Sequence, residues 1–148
     1  MNNINDILDF AINNEQEAHD FYKDLASKAK NPALKETLLK FSGEELSHKK
    51  KIETVKSGQT HLFTKQKIQD LKIANYLVDI KPTADMDYQQ ILTVAMKKEL
   101  AAYRLYTFLS QSSDDPSMKT LFASLAQEEA GHKLRFEIEF DDYVNKEN

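Results

Sequence analysis

The chain carries the same pattern twice. Residues 15–53 and 99–137 align at a constant offset of 84 without a gap, and eleven of the 39 aligned pairs are identical. Among the identities are Glu15/Glu99, Tyr22/Tyr106, Pro32/Pro116, Glu45/Glu129 and His48/His132. A gapless duplication requires both copies to adopt the same local structure, and two copies are too few for a solenoid. Within each copy the apolar residues step by four and three, the period of a helix face. One stripe runs Ile4, Leu8, Ala11, Ala18, Tyr22, Leu25, Ala29, and a second Leu34, Leu38, Phe41, Ile52, Val55. The second half repeats them as Tyr88, Leu92, Ala95, Ala102, Tyr106, Leu109 and then Met118, Phe122, Leu125, Phe136, Tyr143. Between the stripes of each half stands an N-cap followed by proline, Asn31-Pro32 and Asp115-Pro116, which opens a new helix. Each half is therefore a helix hairpin.

The expected fold is all-α: a four-helix bundle of two duplicated hairpins, forming a single domain over residues 1–148. Hairpin 1 covers about 3–57 and hairpin 2 about 87–145, with Ser57-Gly58 as the stop of the second helix. The segment of about 58–86 is too long for a turn between neighbouring helices. It holds one short apolar run, Ile68 to Ile80, and ends near Pro82. It reads as a crossover containing one short helix, which lets helices two and three run parallel. Three glycines and three prolines in 148 residues are too few for a turn-rich β fold. The absence of cysteine excludes disulfides, iron–sulfur clusters and thiol chemistry. A net charge of −4 makes nucleic acid an unsuitable partner. No apolar run approaches the roughly 18 residues of a membrane span. The start, with Asp6 and Asp9 and no basic segment, does not read as a signal peptide, so the expected location is the cytoplasm.

The same stepping also places polar residues on the apolar seams: Glu15, Glu45, His48, Glu99, Glu129 and His132. A carboxylate removed from water is expensive unless it is paired or bound to metal. Glu15 and Glu45 stand equally far from the Asn31-Pro32 turn, as Glu99 and Glu129 do from Asp115-Pro116, so all lie near mid-bundle. In each Glu-x-x-His pair the side chains are one turn apart. A single such pair in a glutamate-rich helix is commonly a surface pair; two copies, each facing a repeated seam glutamate, point to metal. One Glu from each of two helices and Glu-x-x-His from the other two is the ligand set of di-iron and di-manganese carboxylate bundles. Four carboxylates balance two divalent cations, and oxygen-rich ligation with one imidazole each suits iron or manganese, with zinc able to occupy the site in a preparation.

Other candidates read more plainly. Glu44 and Glu128 fall off the seam. His19, one turn after Glu15, has Tyr103 as its repeat partner and reads as structural rather than as an extra ligand. His61 reads as exposed, and Lys49-Lys50-Lys51 as a solvated face. Tyr22 and Tyr106 suit either core packing or a hydrogen bond to a metal carboxylate. Gly43 and Gly131 would permit close helix approach near the site.

At these residues the chain resembles the rubrerythrin-type branch of the ferritin-like superfamily. The resemblance rests on Glu15 with Tyr22, Glu45-Leu-Ser-His48, Glu99 with Tyr106, Glu129-Ala-Gly-His132, and the crossover from Asp70 to Asp79 through Pro82. It implies that Glu45 and Glu129 bridge two irons while Glu15 and Glu99 are terminal ligands. It also implies reduction of hydrogen peroxide or dioxygen. Two departures stand out. Ala102 replaces a further glutamate that takes part in redox-linked ligand exchange in the family. The chain also has no cysteine-rich rubredoxin domain, so electrons come from a separate donor, rubredoxin-like or a flavoprotein. Iron handling by ferroxidase action, or a structural metal site, are the alternative functions. A homodimer is expected from the resemblance and from the apolar crossover residues Tyr76, Leu77 and Val78.

Overall fold

Asn31 and Asp115 open the second helix of each hairpin. In the structure, a computed structural model describing residues 3–78 and 86–147, Asn31 Oδ1 accepts the N–H groups of Ala33 and Leu34 at 2.8 and 3.3 Å. Asp115 Oδ2 accepts the Met118 N–H at 3.0 Å. Each cap satisfies donors that the first helical turn leaves open, with proline in the position that needs none. The elements are α1 (Ile4–Lys28), α2 (Pro32–Gly58), α3 (Lys65–Gln69), α4 (Tyr88–Gln111) and α5 (Pro116–Glu147), with single 3₁₀ turns at Thr60–Leu62 and Ile73–Tyr76. All these elements are helical. The four long helices have 25, 27, 24 and 32 residues, so they extend about 36–48 Å at 1.5 Å per residue. The start of α4 is closed by a capping box: Asp87 accepts the Gln90 N–H at 2.8 Å while the Gln90 side chain accepts the Asp87 N–H at 2.9 Å.

The chain divides into two compact units, Met1–Leu71 and Lys72–Asn148. In the first, α1 packs on α2; in the second, α4 packs on α5. The seam residues Leu8, Ala11, Tyr22 and Leu25 of α1 and Leu34, Leu38, Phe41, Ile52 and Val55 of α2 are buried. Leu92, Ala95, Tyr106 and Leu109 of α4 and Met118, Phe122, Leu125 and Phe136 of α5 are buried likewise. Each large apolar side chain so removed from water contributes about 1.5–3 kcal/mol. The buried faces are wider than a single stripe, since Ile7, Ala26, Leu105 and Ala126 join them. Ile4, Ala18, Ala29, Tyr88, Ala102 and Tyr143 are only half-buried.

Two local expectations need adjusting. Helix α2 does stop at Gly58, but no described glycine has positive φ; the end is closed by the Gln59 N–H bonded to the Val55 carbonyl at 2.8 Å. Gly43 and Gly131 do not serve close helix approach. Both are exposed, and a Cβ built on either meets nothing within 4 Å. The crossover holds the expected short helix, α3, and buries Ile68 and Leu71, while Asp79, Ile80 and Pro82 lie outside the described residues.

Candidate metal centre

Each hairpin assembles a compact triad of ligand-type side chains on its own. In the first, α1 supplies Glu15 and α2 supplies Glu45 and His48, which the i, i+3 spacing stacks one turn apart. His48 Nδ1 stands 3.6 Å from a Glu15 oxygen and 3.5 Å from a Glu45 oxygen. In the second, Glu99 comes from α4 and Glu129 and His132 from α5, with His132 Nδ1 3.7 and 3.8 Å from the two carboxylates. Within each triad one donor atom from every residue lies within 4.8 Å of the others. All six residues are at most 3% exposed.

The donor set fits a metal. Separations of 3.5–3.8 Å exceed an N–H···O hydrogen bond, about 2.7–3.2 Å. They match two donors that share one cation at about 2.1 Å each. Two acids and one imidazole, buried together, present oxygen and nitrogen donors with excess negative charge, which a divalent cation neutralises. No sulfur is present, which favours harder cations over thiolate-seeking ones.

The neighbouring residues divide by function. His19 ties α1 to α2: its Nδ1 donates to the Ser42 carbonyl at 2.7 Å, and the Ser42 hydroxyl donates to the His19 carbonyl at 2.9 Å. Ser42 is 3% exposed, and the sequence pattern does not single it out. Its only signal there is a small polar residue on the α2 seam, three positions before Glu45. Tyr22 and Tyr106 are each 1% exposed, and each packs its ring against an aromatic on the facing helix of its own hairpin. The centroids are 6.4 Å apart for Tyr22–Phe41 and 6.0 Å for Tyr106–Phe122. Glu44 and Glu128 are half-buried, outside both triads, and His61 is exposed. Of the lysine run, Lys50 and Lys51 are exposed, whereas Lys49 donates to Gln16 Oε1 on α1 at 2.7 Å.

Comparison with known proteins identifies the fold and the family. The chain superposes on a ferritin-like diiron-carboxylate protein of Thermotoga maritima with a TM-score of 0.77, at 17% identity, covering 96% of this chain and 97% of that one. It also matches a hypothetical protein of Pyrococcus furiosus with a TM-score of 0.73, at 26% identity, covering 95% and 90%. The fold is thus the ferritin-like four-helix bundle. No curated protein matches the sequence. The profile of the rubrerythrin family matches residues 6–84 and 90–148. That span takes in both triads and nearly the whole chain, and the chain belongs to the rubrerythrin family.

Proposed function

We propose that this protein is a di-iron oxidoreductase that reduces hydrogen peroxide with electrons from a separate carrier. The observation that carries this reading is the duplicated buried triad, two carboxylates and one imidazole in each hairpin, in a chain of the rubrerythrin family. The six side chains would hold two irons, with Glu45 and Glu129 shared and Glu15 and Glu99 serving one each. His48 and His132 would anchor one iron apiece. When bound, the iron pair supplies two electrons and Lewis acidity toward peroxide.

The chain's own contribution is arrangement. Burial keeps bulk water from the carboxylates, so their charge acts in a low-dielectric setting. Tyr22 and Tyr106, seven residues past Glu15 and Glu99 on the same helices, would orient metal carboxylates by donating phenolic hydrogen bonds. In the overall reaction peroxide takes up two electrons and two protons and leaves as two water molecules. Dioxygen is the slower oxidant in this reading.

Anaerobic stopped-flow spectroscopy of the reduced, iron-loaded protein tests the proposal. Peroxide should oxidise it faster than dioxygen does, and an added one-electron donor should sustain turnover. Equal rates with the two oxidants, together with no turnover, would rule out the peroxidase reading.

A further inference from the structure

The duplication supplies an internal control for the surface of α4. In α1 the outward positions Asn13, Gln16, Glu17 and Asp20 form a polar, acidic strip, with Gln16 bonded to Asp20 at 3.0 Å. Their repeat partners on α4 are Lys97, Leu100, Ala101 and Arg104. The same helical face has thus changed from acidic and polar to cationic and apolar. Burial of the helix does not require this, because α1 does without it. The bias extends along α4: apart from the buried Glu99 its charged residues are Lys97, Lys98 and Arg104, in a chain of net charge −4.

The face is also shaped. Lys97, Leu100, Ala101 and Arg104, with Leu77 and Val78 from the segment before α4, line a shallow depression of about 290 Å³. A second depression of about 320 Å³ continues from Lys97 toward Gln89 and the acidic N-cap Asp87 at the start of the helix, so the positive charge is concentrated at the Lys97–Arg104 end. From Gln89 to Arg104 this is about 22 Å of helix, too long and too open for a small molecule. Leu77 and Leu100 are 58% and 42% exposed. The Arg104 guanidinium lies over the Tyr76 ring at 5.8 Å, a cation–π contact that fixes its position.

We propose that this face of α4 is the docking surface for an acidic one-electron carrier protein, the donor for the proposed iron site; the inference rests on that functional reading. Charge complementarity selects the partner: Lys97 and Arg104 attract an acidic surface and speed encounter, while Leu77 and Leu100 give the contact an apolar centre. Position serves the same purpose. Glu99 stands on this helix between Lys97 and Leu100, so a carrier seated here is one helix diameter, about 10 Å, from the Glu99 triad. A second copy of the chain fits worse. Two-fold pairing through this face would set Lys97 and Arg104 against themselves, and the acidic strip of α1 offers no apolar match for Leu100.

Titration of ¹⁵N-labelled protein with unlabelled rubredoxin, an acidic carrier, is the test. Resonance changes should centre on Leu77, Lys97, Leu100 and Arg104 and weaken as salt is raised. The double variant Lys97→Glu/Arg104→Glu, which changes two exposed side chains, should bind about tenfold more weakly or worse. It should keep the wild-type melting temperature and metal content. Changes centred elsewhere, no binding, or a variant that binds as well as wild type would overturn the proposal. So would salt-sensitive self-association of the labelled protein that the variant abolishes. Binding at α4 without peroxide turnover would leave the docking surface standing and remove the redox reading. Turnover from rubredoxin that the variant leaves unchanged at low salt would do the reverse.

Discussion

The two hairpins keep the same three-residue pattern of ligand-type side chains but secure it differently. In hairpin 1, polar ties cross between α1 and α2 beside Glu15: Lys49 reaches Gln16 at 2.7 Å, and His19 and Ser42 exchange hydrogen bonds. In hairpin 2 the partners of Gln16, His19 and Ser42 are Leu100, Tyr103 and Ala126, which cannot form those bonds. Lys133, identical to Lys49, turns instead to Glu137 on its own helix. Ties that do cross hairpin 2 lie toward its ends. Ser110 donates to the Lys119 carbonyl at 2.7 Å, and Tyr88 donates to Glu139 at 3.3 Å. There burial and the Glu139 carboxylate push the Tyr88 phenol far above its ordinary range. The difference teaches that the triad and the apolar seam are what the two copies have in common. The polar brackets around them differ, so the triad geometry does not depend on one particular set of brackets.

The largest effects should come from the residues the hairpins share. Metal analysis of iron-loaded variants should show Glu45→Ala or Glu129→Ala falling from two ions per chain to none, because each would serve both ions. Glu15→Ala or Glu99→Ala should fall to about one. Two ions retained in the Glu45→Ala/Glu129→Ala double variant would refute the ligand assignment.

Proton linkage gives the next effect. Carboxylates and imidazoles bind metal in their deprotonated forms, so affinity rises with pH. At free iron about 100-fold above the dissociation constant the stabilisation is about 2.7 kcal/mol, or about 5–10 °C in melting temperature for a chain of this size. The gap between iron-loaded and metal-free protein should therefore widen from about pH 5 to about pH 7.5 in calorimetry. A flat or narrowing gap would contradict ligation by these acids.

The hairpin difference is sharpened by smaller changes. His19→Ala or Ser42→Ala should each cost about 1 kcal/mol, since each removes a part-buried hydrogen bond from a side chain to a carbonyl of the facing helix. The double variant should lose less than the sum, because the two side chains also meet directly, Ser42 Oγ lying 2.8 Å from His19 Nδ1. Additive losses in thermal unfolding would mean that the pair is not a lock. Gly43→Ala and Gly131→Ala should act in the opposite sense, raising stability by about 0.5–1 kcal/mol each. Open space receives the new methyl and a flexible residue leaves a helix interior.

Much of this architecture is legible in the chain because its signals are local and repeated. Helix period, Asx-Pro caps and the 84-residue offset all concern residues near one another or copied in register, and the structure places the hairpin turns accordingly. The six ligand candidates stand out because acids on an apolar seam contradict the pattern around them. What the chain hides depends on partners far apart in sequence. Ser42 looks like an ordinary small residue until His19, 23 positions earlier, is seen to face it. Gly43 and Gly131 suggest contact points because glycine permits close approach, but both stand off the four–three seam and are exposed. The cationic face of α4 is hidden because it depends on the segment that packs beside the helix. Tyr76, Leu77 and Val78 read as an apolar contact surface for a second copy, and the sequence does not show that Lys97 and Arg104 stand beside them.

The proposed function requires the two triads to act as one dinuclear centre rather than as two separate metal sites. Electron paramagnetic resonance of the oxidised protein, loaded anaerobically with iron and quantified for metal, tests it most directly. Two irons per chain and almost no ferric signal are expected, because two high-spin ferric ions sharing bridging ligands couple to a spinless ground state. Two irons per chain with a full isolated high-spin ferric signal would show two independent sites and contradict it.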